Sequence, residues 1–282
     1  MIGLKRGTVE LYDHQSEWDI EAQRTIKKLE SILGNVAISI DHVGSTSIPT
    51  IKAKPIIDIM VVVNDFDEIL KYEDVLRENG YYYRPNHLAE QLLFASGSYY
   101  EGTGDLQTHF IHVVLDNSQS MLTYVNFKSF LIKYPKYAKE YEQVKLSLEE
   151  LPRSEYIKGK DAFITKIQRM AQAESYLGKE VEIKIDRPLG TTHPKHKNIV
   201  YSVNYGYIPH IIGGDGEEID VYLLGVNEAV SQYTATVIAV IHRLNDNEDK
   251  LVAAPKGITL TKEQIKEAVH FQEQYFQSEI LM

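Results

Sequence analysis

Acidic side chains stand at close spacing in the sequence Asp-Gly-Glu-Glu-Ile-Asp, which runs from Asp215 to Asp220. With Asp215 in a turn and Asp220 at the start of the next strand, both carboxylates can reach one cation, and all-oxygen ligand sets suit Mg²⁺. Upstream, Lys195, Lys197 and Tyr205 carry groups that bind phosphate oxygens. A metal-bound water loses its proton readily and a nearby carboxylate can accept it, so this combination predicts diphosphate hydrolysis. The alternative interpretation is a solvated acidic turn, since Asp-Gly-Glu turns are common.

A second candidate site is a turn with the sequence His-Val-Gly-Ser-Thr-Ser over residues 42–47. Gly44 permits a positive φ and lets a ligand approach the backbone closely. The turn amides and three consecutive hydroxyls can surround phosphate oxygens, and the hydroxyls belong to Ser45, Thr46 and Ser47. Asp58 follows on an apolar strand with Lys54 just before it, which is the minimal scaffold for Mg²⁺-assisted phosphoryl or nucleotidyl transfer. The alternative is a solvent-facing turn with Asp58 as an isolated strand acid.

The elements that must position the second site alternate between helices and strands. Pro55–Val63 is apolar on both faces and predicts a central, fully covered strand. Further strands are predicted over Val36–Val43 and His109–Leu115. Apolar spacing predicts helices over Asp19–Leu33, Asp67–Asn79, Ser120–Ser129, Lys136–Glu150 and Ser154–Ala173. This order favours an α/β (α+β) domain over residues 1–173.

The remainder, residues 177–282, is a succession of short strands and Pro/Gly turns. Strand signals lie at Val181–Ile185, Val221–Gly225, Thr236–Leu244 and Lys250–Ala254. Thr261–Phe276 is the one helical pattern, and Thr261 with Gln264 predicts a capping box. We expect a small all-β barrel with one C-terminal helix.

The residues of the Gly-Ser turn resemble the signature of the GrpB family. The match comprises Asp-His-Val-Gly-Ser-Thr-Ser-Ile-Pro from Asp41, Lys-Pro-Ile-Ile-Asp-Ile from Lys54 and His-Phe-Ile-His-Val-Val from His109. Lys160 and Phe163 resemble the family's C-terminal Lys-x-x-Phe-Ile element, and the resemblance covers residues 8–172. It implies a nucleotidyltransferase-like fold, with Ser45 and Ser47 near phosphates and Asp58 on a metal ion.

One departure from the general fold pattern concerns the second metal-binding carboxylate, because Met60 stands at its position. His109, His112 and Lys160 are further candidate ligand-binding residues. The two histidines are three positions apart on one strand and therefore point to opposite faces, so at most one joins the cleft directly.

The second half resembles the soluble, Mg²⁺-dependent inorganic pyrophosphatases. The resemblance rests on Asn-Tyr-Gly-Tyr from Asn204, the acidic segment from Asp215, and Glu-Asp-Lys-Leu-Val-Ala-Ala-Pro from Glu248. It implies a pyrophosphatase-like, OB-type barrel with metal ligands Asp215, Asp220 and, allowing a shift of one residue, Asp249.

The same resemblance assigns further roles. Glu217 replaces an Asp that orients or deprotonates the attacking water, and Tyr205, Lys250 and Tyr275 match phosphate-contacting positions. The longer Glu217 can misplace the base. In addition, the family's Lys-x-Glu pair and phosphate-facing Arg have no clear equivalent, and Phe276 replaces a Lys.

Charge and composition indicate which kinds of molecule the protein can bind. The net charge of −10 disfavours a broad nucleic-acid surface, although a local phosphate cavity can still be positive. No apolar run is long enough to span a membrane, and the absence of cysteine fits the cytoplasm. We therefore expect a cytoplasmic protein that takes a small phosphorylated substrate, such as pyrophosphate, a nucleotide or a CoA-type diphosphate. We expect Mg²⁺, or alternatively Mn²⁺, as cofactor and no nucleic-acid or membrane partner, and a homo-oligomer is left open.

The favoured function is Mg²⁺-dependent phosphoanhydride chemistry, with diphosphatase-like hydrolysis in the second half. Asp58, Tyr205, Glu217, Asp220 and Lys250 would be its catalytic residues, and the first half would bind a nucleotide or transfer a nucleotidyl group. The alternative is a catalytically decayed protein that binds or senses phosphorylated metabolites, because Met60 and Glu217 depart from the expected carboxylates.

Overall fold

The computed structural model describes residues 1–85 and 90–282. The chain divides into two compact units, Met1–Thr165 and Lys166–Met282. Across the described residues, no helix combines the length and the apolar character that crossing a bilayer requires.

The first unit is a mixed α/β fold. Its strands are β1 (Leu4–Lys5), β2 (Ala37–Val43), β3 (Ile57–Val63), β4 (Tyr82–Tyr83), β5 (Gln91–Ser96), β6 (Leu106–Gln107) and β7 (His109–Leu115). Its helices are α1 (Ser16–Leu33), α2 (Phe66–Leu70), α3 (Glu73–Glu78), α4 (Ser98–Glu101), α5 (Gln119–Lys133), α6 (Pro135–Ser147) and α7 (Arg153–Glu174), which continues past the end of the unit. Short 3₁₀ turns lie at Gly34–Val36 and Ser45–Ser47.

The main sheet of this unit has the strand order β2-β3-β7-β5-β4, with β3 and β7 parallel and the other neighbours antiparallel. Ile57, Ile59 and Val61 of β3 pack in the core with residues of α1. Met60 and Val62 pack on the opposite face with Met121 and Tyr124 of α5. The prediction of a central strand covered on both faces is therefore confirmed, and Asp58 shares the α5 face with Met60.

The single helix predicted over Asp67–Asn79 is wrong. The chain forms the separate helices α2 and α3, because the Tyr72 amide donates to the Ile69 carbonyl at 2.9 Å, and this tighter turn interrupts the helical ladder.

The second unit is a closed barrel. Its elements are β8 (Glu180–Arg187), β9 (Asn204–Ile212), β10 (Glu218–Leu223), β11 (Gln232–Arg243), β12 (Asp249–Ala254), α8 (Lys262–Glu273) and β13 (Ser278–Leu281). The order β12-β10-β9-β8-β11 closes through a β11–β12 pairing, and β13 adds to β11. A small β-barrel with one C-terminal helix is thus confirmed, and the capping box of Thr261 and Gln264 is present at the start of α8.

Strand β9 was not among the predicted strands. Gly206 lies within it, and a Cβ at this position would lie 1.9 Å from the Lys184 carbonyl oxygen of β8. A glycine in a sequence often indicates a turn, but Gly206 is required inside β9 because the backbones of β8 and β9 approach each other closely at this point.

The two faces of the barrel strands bury different sets of residues. Val221, Leu223, Leu251 and Ala253 pack together in one cluster. The alternate residues Tyr222 and Val252 pack with Tyr205 against Ile265 and Val269 of α8. This alternation decides which polar residues of β10 and β12 can meet, because successive side chains of a strand point to opposite faces.

Candidate functional site

The Gly-Ser turn of the first unit lies directly on Asp58. Gly44 has φ 69° and ψ −171°, a conformation that is essentially restricted to glycine. A Cβ on Gly44 would lie 2.4 Å from Oδ2 of Asp58. Glycine is therefore needed both for the turn and for the contact with the carboxylate.

The three hydroxyls of this turn have different environments. The hydroxyl of Ser47 donates to the Gly44 carbonyl at 2.7 Å. The hydroxyl of Thr46 lies 2.9 Å from Nε2 of His42 and is buried. Ser45 is half-buried and lines the cavity that contains Asp58. Of the three, Ser45 is the best placed to contact a ligand, and the other two hydroxyls stabilise the turn.

His112 fixes the orientation of Asp58. Its Nε2 lies 3.2 Å from Oδ1 of Asp58, and its Nδ1 lies 2.7 Å from the Gln91 amide and 3.0 Å from the Tyr124 hydroxyl. Because the Gln91 amide donates to Nδ1, the proton of a neutral imidazole sits on Nε2 and is donated to Asp58. Burial raises the pKa of Tyr124, so its hydroxyl stays protonated.

His109 lies away from Asp58. Its Nε2 is 3.2 Å from the Thr25 hydroxyl of α1, and burial lowers the pKa of His109 to about 4. The two histidines thus point to opposite faces of β7, as their spacing predicts, and His112 is the one that joins the candidate site.

Two lysines lie beside Asp58 and flank one aromatic ring. The Nζ atoms of Lys54 and Lys160 are 5.0 Å and 4.7 Å from the ring centre of Tyr156. Burial, and then repulsion by Lys160 and Arg153, lowers the pKa of Lys54 to about 8. Burial is also the main cause that lowers the pKa of Lys160. Within the described residues, neither lysine forms an ion pair with a carboxylate.

These groups line a cavity of about 180 Å³. Its lining residues are Ser45, Thr46, Lys54, Ile56, Asp58, Phe110, Tyr156 and Lys160. Since two lysines face a single carboxylate, the cavity carries a net positive charge and suits an anion. It does not suit a metal pair: Met60 is buried at the position of the second acid, and the described part of the chain holds no metal-binding group of three or more His, Asp or Glu side chains.

In the barrel, four side chains meet on the strand face that packs against α8. Three of them, Tyr205, Asp220 and Lys250, are predicted site residues, and the fourth is Glu248. Oδ2 of Asp220 accepts a hydrogen bond from the Tyr205 hydroxyl at 2.6 Å. The Lys250 ammonium donates to both Asp220 and Glu248. Burial and then the hydrogen bond to Asp220 raise the pKa of Glu248 to about 7. For Asp220, burial acts in the raising direction, but Lys250 and the hydrogen bonds outweigh it and lower its pKa.

Asp249 does not join this cluster. It is 3% exposed and lies 3.0 Å from Nε of Arg169 and 3.2 Å from Nδ1 of His242. Because Asp249 and Lys250 are successive residues of β12, their side chains point to opposite faces. The acid that accompanies Asp220 is Glu248, two positions before Lys250, and the structure does not bring Asp249, the residue that the shift of one position selects, into this cluster.

The remaining predicted barrel residues lie in solvent. Asp215 and Glu217 are exposed in the turn between β9 and β10, where Asp215 accepts a hydrogen bond from the Glu217 amide at 3.0 Å. Lys195 and Lys197 are exposed on the loop between β8 and β9, and Tyr275 is 57% exposed after α8. The structure therefore does not bring these five residues into the Asp220 cluster.

A buried arginine that the sequence interpretation missed extends the cluster. Arg243 is 2% exposed and donates to Glu248 at 2.8 Å and to Glu273 at 2.6 Å. The Tyr222 hydroxyl donates to the same Glu273 at 2.7 Å. Glu248 could have been identified from the sequence, because residues two positions apart in an extended segment point to the same side and Lys250 was already a candidate. No local sequence pattern identifies Arg243.

The carboxylates of the barrel do not fit a Mg²⁺ site in this arrangement. The predicted ligands Asp215, Asp220 and Asp249 lie in a solvent-exposed turn, in the Lys250 cluster and on the opposite strand face, respectively. The lysine and arginine side chains already neutralise Asp220 and Glu248, and a divalent cation would have to displace them.

The two units define a protein in which a mixed α/β domain with a cationic cavity precedes a closed barrel with one helix. Residues 8–170 match the family model described as GrpB protein. The glutamate-rich protein GrpB of Alkalihalophilus pseudofirmus is 33% identical over 175 residues, covering 59% of this chain and 98% of that protein. The crystal structure of the conserved protein GrpB from Enterococcus faecalis aligns with a TM-score of 0.54 and 27% identity, over 59% of this chain and 99% of that one. The chain belongs to the GrpB family.

Residues 165–280 match the family model described as inorganic pyrophosphatase. The inorganic pyrophosphatase of Mesorhizobium japonicum is 29% identical over 104 residues, which are 34% of this chain and 59% of that protein. The UPF0157 protein YqkA of Bacillus subtilis is 30% identical over 168 residues, covering 58% of this chain and 47% of that protein. The chain thus joins a GrpB domain to an inorganic pyrophosphatase domain, and it spans only about half of these two relatives.

Proposed function

We propose that the GrpB domain binds a phosphate-bearing small molecule, with phosphate oxygens between Lys54 and Lys160 and beside the turn at Ser45. The observation that carries this proposal is that both lysines converge on Tyr156 next to a single carboxylate, Asp58. Their mutual repulsion is relieved when an anion enters, and hydrogen bonds from ammonium groups to phosphate are among the stronger ones in proteins.

Asp58 gives the cavity directional specificity. Its carboxylate is 27% exposed and is held on one side by His112 and on the other by the turn at Gly44. A fixed carboxylate beside two cations accepts a hydrogen bond from a ligand hydroxyl or amino group adjacent to the phosphate. Nucleotides and CoA-type diphosphates carry both kinds of group, so they are the proposed ligand class, together with pyrophosphate as the minimal anion.

The affinity for such a ligand is expected to fall as the pH rises. Lys54 has a pKa of about 8, and the protonated form is the one that binds phosphate. Affinity is therefore full below this pH and decreases above it, by about tenfold between about pH 7 and about pH 9. Isothermal titration calorimetry with ATP and with inorganic tripolyphosphate at both pH values measures this.

The exposed Lys158 of α7 supplies the control, because Lys158→Met also removes one positive charge and should keep the profile of the unchanged protein. An affinity that stays constant or rises over this pH range would contradict the proposed site.

For the barrel, the arrangement of its charged side chains favours a domain that binds a phosphorylated metabolite without hydrolysing it over an active diphosphatase. A hydrolytic metal site would use the carboxylates of Asp220 and Glu248, but these already form ion pairs with Lys250 and Arg243, respectively. Glu217 is exposed to solvent. A catalytically decayed pyrophosphatase domain, the alternative that the sequence left open, is therefore the proposal here.

Purified protein is expected to release no phosphate from pyrophosphate above the uncatalysed rate, with either Mg²⁺ or Mn²⁺. A malachite-green phosphate assay measures the release, with Asp220→Asn as the matched variant. Release that depends on the divalent ion and disappears in Asp220→Asn would show that the domain is an active diphosphatase and would overturn this view.

A further inference from the structure

A second, larger cavity of about 480 Å³ lies in the GrpB domain and shares one lining residue, Phe110, with the smaller cavity. Three arginines line it, and they come from distant parts of the chain: Arg6, Arg84 and Arg153. Among the residues that the structure describes, no acidic side chain lines this cavity. The proposed phosphate-binding residues Ser45, Lys54 and Lys160 are not among the residues that line this cavity.

The guanidinium groups are held mainly by aromatic rings and an amide. Arg6 lies over the ring of Tyr99 at 4.3 Å, and Arg84 lies 5.4 Å from the ring centre of Tyr100. Arg153 donates to the Gln107 side chain at 2.6 Å. In the part of the chain that the structure describes, none of the three forms an ion pair with a carboxylate, so their charges are available to an incoming anion.

The two cavities adjoin at Phe110. Phe110 lines each of them, and its neighbour across the parallel strand pair is Asp58. His112 lines the larger cavity and contacts Asp58 with its Nε2. Arg153 also lies close enough to Lys54 to lower its pKa. A single ligand can therefore extend from the lysines past Phe110 to the arginines.

We propose that the arginine cavity binds a second anionic group, a carboxylate or a phosphate, of the ligand whose phosphate lies at Lys54 and Lys160. The planar guanidinium fork matches the oxygens of both groups, and three such forks without acidic partners give a strongly anion-selective surface. The ligand class is then an elongated small molecule with an anionic group at each end. This proposal rests on the proposed phosphate site in the smaller cavity.

Calorimetry with three series of probes of graded chain length tests it: alkyl monophosphates, alkane bisphosphates and ω-phosphoalkanoates. At the matching length, a probe with two anionic ends should bind at least about tenfold more tightly than the monophosphate of equal length. The bisphosphate and phosphoalkanoate series distinguish phosphate from carboxylate at the distal end. In Arg6→Met combined with Arg84→Met the gain should vanish, while the affinity for the monophosphate stays unchanged.

Arg24→Met is the control, because Arg24 is 81% exposed on α1. A two-ended probe that gains nothing at any length, or a gain that persists in the double arginine variant, overturns this proposal and leaves the phosphate site intact. Failure of all three series to bind overturns both proposals.

Discussion

Replacing Lys54 and Lys160 together by methionine is expected to weaken the binding of ATP by about 100-fold or more. Each lysine supplies a charged hydrogen bond to phosphate, which contributes about 1.5–3 kcal/mol. Methionine keeps an unbranched apolar side chain over the Tyr156 ring and removes only the ammonium group. Titration calorimetry of the unchanged and doubly substituted proteins at neutral pH measures the loss.

The matched control is Lys27→Met combined with Lys158→Met, which removes the same net charge from two exposed positions. The Lys54 and Lys160 substitutions should not lower the unfolding temperature, because burial and mutual repulsion disfavour the charged lysines in the folded protein. An unchanged affinity in the Lys54 and Lys160 variant, with the control also unchanged, would contradict the proposed site.

Replacing Arg243 by methionine is expected to lower the free energy of unfolding of the barrel by about 3–5 kcal/mol. Arg243 is 2% exposed, and its guanidinium donates to Glu273 through both Nη2 and Nε. Without it, Glu273 keeps only neutral donors in a buried position. Hydrogen exchange of the α8 and β11 amides measures the loss within the barrel itself.

A second substitution separates the charge effect from lost packing. In Arg243→Met combined with Glu273→Leu, no unpaired charge stays buried, and much of the stability should return. Arg187→Met, which breaks a half-exposed pair with Asp186 at 2.9 Å, should cost only about 0–1 kcal/mol. Equal protection of these amides in Arg243→Met and in the unchanged protein would mean that the network does not stabilise the barrel.

Much of the fold was predictable because its strongest elements have simple patterns. The two-sided apolar strand β3 predicted a central position, and the short strands with one helix predicted the second unit. What the patterns missed depended on contacts between distant segments. Gly206 resembles a turn residue in sequence, and only the close approach of Lys184 explains it within a strand.

The candidate sites were predictable to a different degree. The turn at Gly44, Asp58 and Lys54 could be identified because these residues are close in sequence and a family signature includes them. The choice of Asp249 over Glu248 ignored strand alternation, which the sequence itself contains. Arg6, Arg84 and Arg153 have no common spacing, so only the folded chain shows that they line one cavity.

The most direct test of the central claim is a crystal structure of this protein grown with ATP. We expect phosphate density between the Nζ atoms of Lys54 and Lys160, within hydrogen-bonding distance of both and next to Ser45. A Lys54 cavity filled only by water, with phosphate density elsewhere, for example at Tyr205 and Lys250 of the barrel, would contradict the claim that Lys54 and Lys160 of the GrpB domain bind phosphate.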